Sequence, residues 1–141
     1  MVSMDVMVQK IDSYFGEENN VLAAYLFGSF ARGRQHAMSD VDIAVLLDER
    51  KGRIDRKILL DRLHQNLGRL LRLDIHLLIL NDASYTAGIE ALFRGRCVHV
   101  KDEEASAHFK MLTLSQYADF APVRERLHGK LRQRLGVNQH G

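Results

Sequence analysis

The sequence contains few of the residues that cross-link small proteins or interrupt their helices and strands. It contains one cysteine, Cys97, one proline and no tryptophan in 141 residues. A lone cysteine cannot form an internal disulfide, and no cysteines and histidines stand at zinc-binding spacing. The low proline content excludes collagen-like and linker classes. Stability must therefore come from the packing of a hydrophobic core.

The sequence also lacks a long apolar run and a strong excess of one charge. No stretch approaches the roughly 18 apolar residues that a membrane-spanning helix needs, and the amino terminus has no basic segment followed by an apolar one. Lys and Arg total 20 and Asp and Glu total 18, for a net charge of +2. We therefore expect a soluble, cytoplasmic protein that contacts no membrane and binds no nucleic acid directly.

The basic residues are concentrated near the carboxyl terminus. Residues 122–136 contain five Lys or Arg and one Glu, and they carry an apolar stripe at Val123, Leu127, Leu131 and Leu135. Four-residue spacing predicts one face of a helix. This face packs either on the protein's own sheet or on a partner helix.

Hydrophobic periodicity predicts an α/β (α+β) fold with a mixed, partly antiparallel sheet of about four strands flanked by helices. Helical spacing covers 4–18, 54–71 and 83–93, and strand patterns cover 21–27, 39–47, 73–80 and 97–100. Only ten residues separate Ser29 from Asp40. Because a parallel crossover needs more, we expect the first two strands to be antiparallel.

We interpret residues 1–141 as one domain, with a core over about 20–100 and a helical region over about 102–136. Pro122 should break that helical region, because proline cannot continue a helix interior. The sequence contains no internal repeat and no linker.

Two acidic residues, Asp40 and Asp42, stand at the start of the second predicted strand. Residues i and i+2 of a strand face the same side, with α-carbons ~7 Å apart, so both carboxylates can reach one cation. Like charges ~4 Å apart repel by about 4 kcal/mol at an effective dielectric of about 20. Oxygen ligands favour Mg²⁺ or Mn²⁺. In the alternative interpretation, Asp40 caps the preceding turn and Asp42 is simply exposed.

A third acid, Asp74, stands among apolar residues in the third predicted strand, where a buried unpaired carboxylate is costly. If it lies beside the other two acids, the three can hold two ions about 3.5 to 4 Å apart, as in nucleotidyl displacement. His76 shares its predicted face. This histidine is either a partner of Asp74 or an ordinary strand residue with satisfied hydrogen bonds.

The segment that begins at Gly28 and Ser29 is suited to bind a polyphosphate, because glycine permits close approach and the backbone amides that follow can donate to phosphate oxygens. Arg32 and Arg34 either neutralise phosphate or are ordinary surface charges. A Walker loop is excluded, because Arg34 and Gln35 replace its Lys and Ser or Thr. A dinucleotide fingerprint is excluded because it lacks a third glycine at the required offset.

Gly28-Ser29, ten residues, Asp40-x-Asp42 and a later strand aspartate together resemble the signature of the DNA polymerase beta superfamily of nucleotidyltransferases. The short length and the Gly-Ser-Phe-Ala-Arg-Gly run at 28–33 are most similar to the minimal nucleotidyltransferases. Among these, the sequence most resembles the MntA antitoxins, which are encoded beside a HEPN-domain toxin called HepT. The likeness covers about 20–100 well and the tail loosely.

The resemblance implies a polymerase-beta-type fold in which Asp40 and Asp42 coordinate Mg²⁺. Asp74 would complete a site for two ions and activate the acceptor hydroxyl, and Ser29 would hold the triphosphate of ATP. The implied activity is AMP transfer from ATP to a tyrosine of an adjacently encoded HepT-like RNase toxin, which silences the toxin. Two alternatives are a non-catalytic antitoxin that masks the toxin and a small-molecule or RNA nucleotidyltransferase that acts as a dimer.

Overall fold

A computed structural model of the protein describes residues 3–28 and 40–119. These residues form helices α1 (Met4–Gly16), α2 (Arg56–Leu71), α3 (Tyr85–Arg94) and α4 (Glu103–Asp119), strands β1 (Val21–Phe27), β2 (Val41–Leu47), β3 (Ile75–Ile79) and β4 (Arg96–Val100), and a short 3₁₀ turn at Leu80–Asp82. The strands form one sheet in the order β3-β2-β1-β4. β1 is antiparallel to β2 and β4, whereas β2 and β3 are parallel. The predicted mixed sheet is confirmed, including its antiparallel first pair.

The sheet is covered by helices on both faces. The odd-numbered residues of β2 pack in a buried cluster with α1 and α2, and the even-numbered Ala44 and Leu46 pack with α3 and α4. β3 divides in the same way, with Ile75 and Ile79 on the first face and Leu78 on the second. The alternation expected of a strand therefore places even-numbered residues of β2 and β3 on the α3–α4 face.

The helices begin at side-chain caps. Ser3, Asp55 and Ser84 each accept a hydrogen bond from a backbone amide in the first turn of α1, α2 and α3. α2 is the crossover between parallel β2 and β3, and it ends at Arg72 in a left-handed conformation with φ 56°. No helix in the described part of the chain is long and apolar enough to cross a membrane.

The guanidinium of Arg56 ties the start of α2 to the carboxyl ends of β2 and β3. It donates to Glu49 at 2.6 and 2.8 Å and to Asp82 at 2.7 and 3.0 Å. The Arg56 side chain is 18% exposed. Hydrogen bonds from Arg56 lower the pKa of Glu49 from 4.5 to about 2. These Arg56 ion pairs, the Arg56 clamp, thus hold the start of the crossover helix against the carboxyl ends of β2 and β3. Asp40 and Asp42 lie at the opposite end of β2.

This clamp predicts a measurable loss of stability in acid. A carboxyl group with a lowered native pKa stabilises the fold above its ordinary pKa, and that stabilisation is lost as the pH falls through the native pKa. The free energy of unfolding should therefore fall more steeply between pH 4.5 and about 2 in the wild type than in Glu49→Gln. Urea denaturation across this range measures the difference, with exposed Asp61→Asn as the control. Superimposable pH profiles for the wild type and Glu49→Gln would contradict the prediction.

Candidate active site

The two predicted carboxylates lie together at the amino-terminal end of β2. Asp40 immediately precedes the strand and Asp42 is its second residue, and their side chains are 40% and 25% exposed. Asp42 pairs with Phe27, the last residue of β1. Because β1 and β2 are antiparallel, the chain leaves β1 beside the carboxylates. The segment that was predicted to bind polyphosphate therefore starts at this edge of the sheet.

Gly28 lies directly against Asp42, the second residue of the acidic pair. Its φ of +72° lies in the left-handed region, which favours glycine. A Cβ placed on Gly28 would collide with Oδ2 of Asp42. Because Gly28 has no side chain, the Asp42 carboxylate can lie close to its backbone. Any larger residue at this position would push that carboxylate away.

Three of the predicted phosphate-binding residues, Ser29, Arg32 and Arg34, lie outside the described residues. The apolar stripe over 123–135 lies outside them as well. Their roles stay predictions from the sequence.

The prediction that Asp74 is buried within a strand is wrong. Asp74 precedes β3 by one residue and is exposed, and its carbonyl oxygen accepts a hydrogen bond from the backbone N–H of Val41 at 2.9 Å. Leu73 and Asp74 connect Arg72, the left-handed residue at the end of α2, to Ile75, the first residue of β3. The β2–β3 register pairs Val41 with Ile75, so one further step places Asp74 beside Asp40. Asp74 is therefore close enough in sequence register to join the acidic pair. Because its side chain is exposed, however, its charge does not require a bound partner.

The residue that sequence reasoning underrated is His76. It is in register with Asp42 across the parallel β2–β3 pair. Its Nε2 lies 3.1 Å from Oδ2 of Asp40 and its Nδ1 lies 3.3 Å from Oδ1 of Asp42. Strand alternation indicates which face the histidine occupies, but only the pairing register shows that the acidic pair is its neighbour.

The environment of Asp42 is unfavourable for an isolated charge. Partial burial raises the pKa of Asp42, the His76 ring opposes this shift, and the Asp40 carboxylate adds to it. A bound cation would relieve both the desolvation and the repulsion. Two carboxylates that keep partial access to water fit Mg²⁺, which retains several water ligands.

The site is open rather than a preformed cage. Among the described residues, no three or more His, Cys, Asp and Glu side chains stand as a group ready to hold a metal ion. In the present arrangement the His76 ring lies between the carboxylates instead of aiming with them at a common point. Water, nucleotide phosphates and a rotated side chain would have to complete the coordination of a cation.

Comparisons with known proteins find relatives over most of the chain. The family model for polymerase beta nucleotidyltransferases matches residues 9–104, a range that includes all four strands. The protein adenylyltransferase MntA of Shewanella oneidensis is 32% identical over 101 residues, which cover 72% of this chain and 69% of MntA.

Solved structures extend the likeness over most of the chain. A crystal structure of a toxin–antitoxin with AMP-PNP superposes with a TM-score of 0.71 and 28% identity, covering 88% of this chain and 97% of the matched chain. The tri-AMPylated Shewanella oneidensis HEPN toxin in complex with its MNT antitoxin superposes with a TM-score of 0.68, covering 92% and 98%. Because the identity in this second match is 24%, it establishes likeness of fold alone.

Proposed function

Because the chain belongs to the polymerase beta nucleotidyltransferase family, we propose that it is an antitoxin that transfers AMP from ATP to a tyrosine hydroxyl of a HEPN-domain RNase toxin. The observation that carries this proposal is the placement of Asp40 and Asp42 together at the amino-terminal end of β2, with Asp42 against Gly28 at the end of β1. That arrangement is suited to hold a divalent cation at the point where a nucleotide polyphosphate would meet the chain. The relative named a protein adenylyltransferase supports the choice of a protein as acceptor.

The transfer is a displacement at the α-phosphorus of ATP. The tyrosine oxygen forms a bond to that phosphorus, the bond from phosphorus to the oxygen bridging to the β-phosphate breaks, and pyrophosphate leaves. The proton of the tyrosine hydroxyl passes to a carboxylate, for which we propose Asp74. AMP is joined to the toxin through a phosphodiester, and no oxidant or reductant is required.

Each residue of the site has one task in this proposal. Asp40 and Asp42 position the cation, and Gly28 leaves room for the Asp42 carboxylate at the start of the turn. Ser29, with Arg32 and Arg34, binds the triphosphate. Bound Mg²⁺, for which we propose two ions, would neutralise the charge that develops on the phosphate oxygens.

The known relatives favour ATP and a HEPN toxin over other partners. The toxin–antitoxin structure with AMP-PNP supports ATP as the nucleotide and a toxin as the partner, and the relative named a protein adenylyltransferase supports transfer of AMP to a protein. Because the reaction consumes ATP and neutralises an RNase, we place it in the cytoplasm.

A labelling experiment tests the proposal. The protein is incubated with Mg²⁺, the product of the neighbouring gene and ATP labelled at either the α- or the γ-phosphate. We expect the toxin to gain label from the α-position only, and to lose its RNase activity in parallel. A folded toxin that stays unlabelled, or label from the γ-position, would contradict AMP transfer.

The two alternatives give different outcomes. A masking antitoxin would protect cells equally well when both Asp40 and Asp42 are replaced by Asn. A small-molecule or RNA nucleotidyltransferase would label its acceptor without any toxin present. We expect the double variant to leave cells unprotected, and small molecules and RNA to remain unlabelled.

A further inference from the structure

The position of His76 points to a ligand that neither the signature nor the comparisons assign. We propose that His76 provides a nitrogen ligand to the cation held by Asp40 and Asp42, so that the site favours a transition-metal ion such as Mn²⁺ over Mg²⁺. This inference rests on the proposed function only in requiring that the two carboxylates bind a cation. It does not depend on which acceptor receives AMP.

The backbone fixes His76 next to the acidic pair. The parallel register places it directly beside Asp42, and its strand is anchored by the buried neighbours Ile75 and Ile79. The side chain itself is 67% exposed, so much of the ring borders solvent and not packed side chains. The imidazole therefore stays within reach of Asp42 while its orientation can change.

The His76 ring bridges the two carboxylates. Its two nitrogens face different carboxylates, at 3.1 Å from Asp40 and 3.3 Å from Asp42. A cation that binds both carboxylates must either displace the ring or be bound by it. A turn of the ring directs one nitrogen at the cation and leaves the other beside a carboxylate. Histidine ligands of metal ions commonly have this second contact, which orients the ring.

A nitrogen ligand changes which cation the site prefers. Two carboxylates and water alone suit Mg²⁺, which binds oxygen almost exclusively. Imidazole suits first-row transition ions such as iron, nickel, copper and zinc; Mn²⁺ has the lowest affinity of that series but accepts a nitrogen ligand more readily than Mg²⁺ does. Adding His76 to Asp40 and Asp42 therefore strengthens Mn²⁺ binding much more than Mg²⁺ binding.

Pulsed electron paramagnetic resonance tests the ligand directly. Mn²⁺ is added to the wild-type protein without ATP or toxin, and the echo modulation from a coordinated ¹⁴N nucleus is recorded. We expect this modulation in the wild type and in His108→Asn, an exposed histidine on α4, and its loss in His76→Asn. Asp42→Asn identifies the site, because it should reduce Mn²⁺ binding. The proposal would be overturned if the wild type binds Mn²⁺ without ¹⁴N modulation while Asp42→Asn loses that binding.

Calorimetry provides a second, independent measurement. His76→Asn should weaken Mn²⁺ binding about tenfold or more and change Mg²⁺ binding much less. His76→Asp, which makes all three donors oxygen, should shift the preference towards Mg²⁺. Equal changes for both ions would overturn the inference.

The inference and the proposed function can fail separately. If His76 coordinates Mn²⁺ but the toxin receives no AMP, the inference stands and the proposed function fails. If the toxin receives AMP but His76 does not coordinate Mn²⁺, the proposed function stands and the inference fails.

Discussion

Replacing Asp42 by Asn should lower AMP transfer by roughly a thousandfold or more while the protein stays folded. Asp42 is the less exposed of the two carboxylates; its Oδ1 faces His76 and its Oδ2 lies against Gly28. An amide cannot replace a carboxylate as a charged ligand, and losing the cation removes several kcal/mol of transition-state stabilisation. Each 1.36 kcal/mol corresponds to about tenfold in rate. Initial rates of toxin labelling, with Mn²⁺ and Mg²⁺ each in excess, measure the loss.

The same variant should not destabilise the protein. Burial raises the pKa of Asp42, so the native state binds this proton more tightly than the unfolded chain does. At neutral pH the ionised carboxylate therefore costs stability, and a neutral Asn removes that cost. We expect an unchanged or higher urea midpoint for Asp42→Asn. A variant that unfolds would instead assign Asp42 a structural role, and a folded variant with full activity would contradict its role in binding the cation.

Replacing Gly28 by Ala should reduce AMP transfer at least roughly a hundredfold. The added methyl group would collide with Oδ2 of Asp42, so the carboxylate would have to move away from its position. Misplacing a reacting or ligating group by about 1 Å costs on the order of a hundredfold in rate. An L-residue at a left-handed φ also costs about 1–2 kcal/mol of stability. Rates of labelling and urea denaturation separate the two effects.

Gly52→Ala is the matched control for this substitution. Gly52 also has a positive φ, +144°, but a Cβ there would meet no atom within 4 Å. It follows β2 at the end of the strand away from Asp40 and Asp42. We expect Gly52→Ala to lose stability but to keep its activity and its cation affinity. Equal activity losses in the two variants would show that backbone strain, and not the collision with Asp42, accounts for the effect.

The parts of the fold that depend on local pattern could be predicted from the sequence. Alternating apolar residues placed Asp40 and Asp42 on the face opposite Val41 and Ile43, and the structure buries those two apolar residues completely. The ten-residue spacing after Ser29 predicted antiparallel pairing of β1 and β2, because so short a connection cannot cross over. Both inferences depend only on residues that are close together in the sequence.

The parts that depend on long-range pairing could not be predicted. The sequence indicates that Asp74 and His76 share a face, but the register of β3 against β2 decides which of them stands beside Asp42. The strand begins two residues later than the apolar run, because the left-handed residue Arg72 ends α2 and the chain needs Leu73 and Asp74 to reach the sheet. That difference leaves Asp74 exposed at the edge and brings His76 against the carboxylates.

The most direct test of the central claim is a crystal structure with Mn²⁺ and a nonhydrolysable ATP analogue. Anomalous scattering from manganese locates the cation independently of the protein atoms. We expect a manganese peak within coordination distance of both Asp40 and Asp42, with the triphosphate beside Gly28. Well-ordered nucleotide with both carboxylates turned away from any manganese peak would contradict the account.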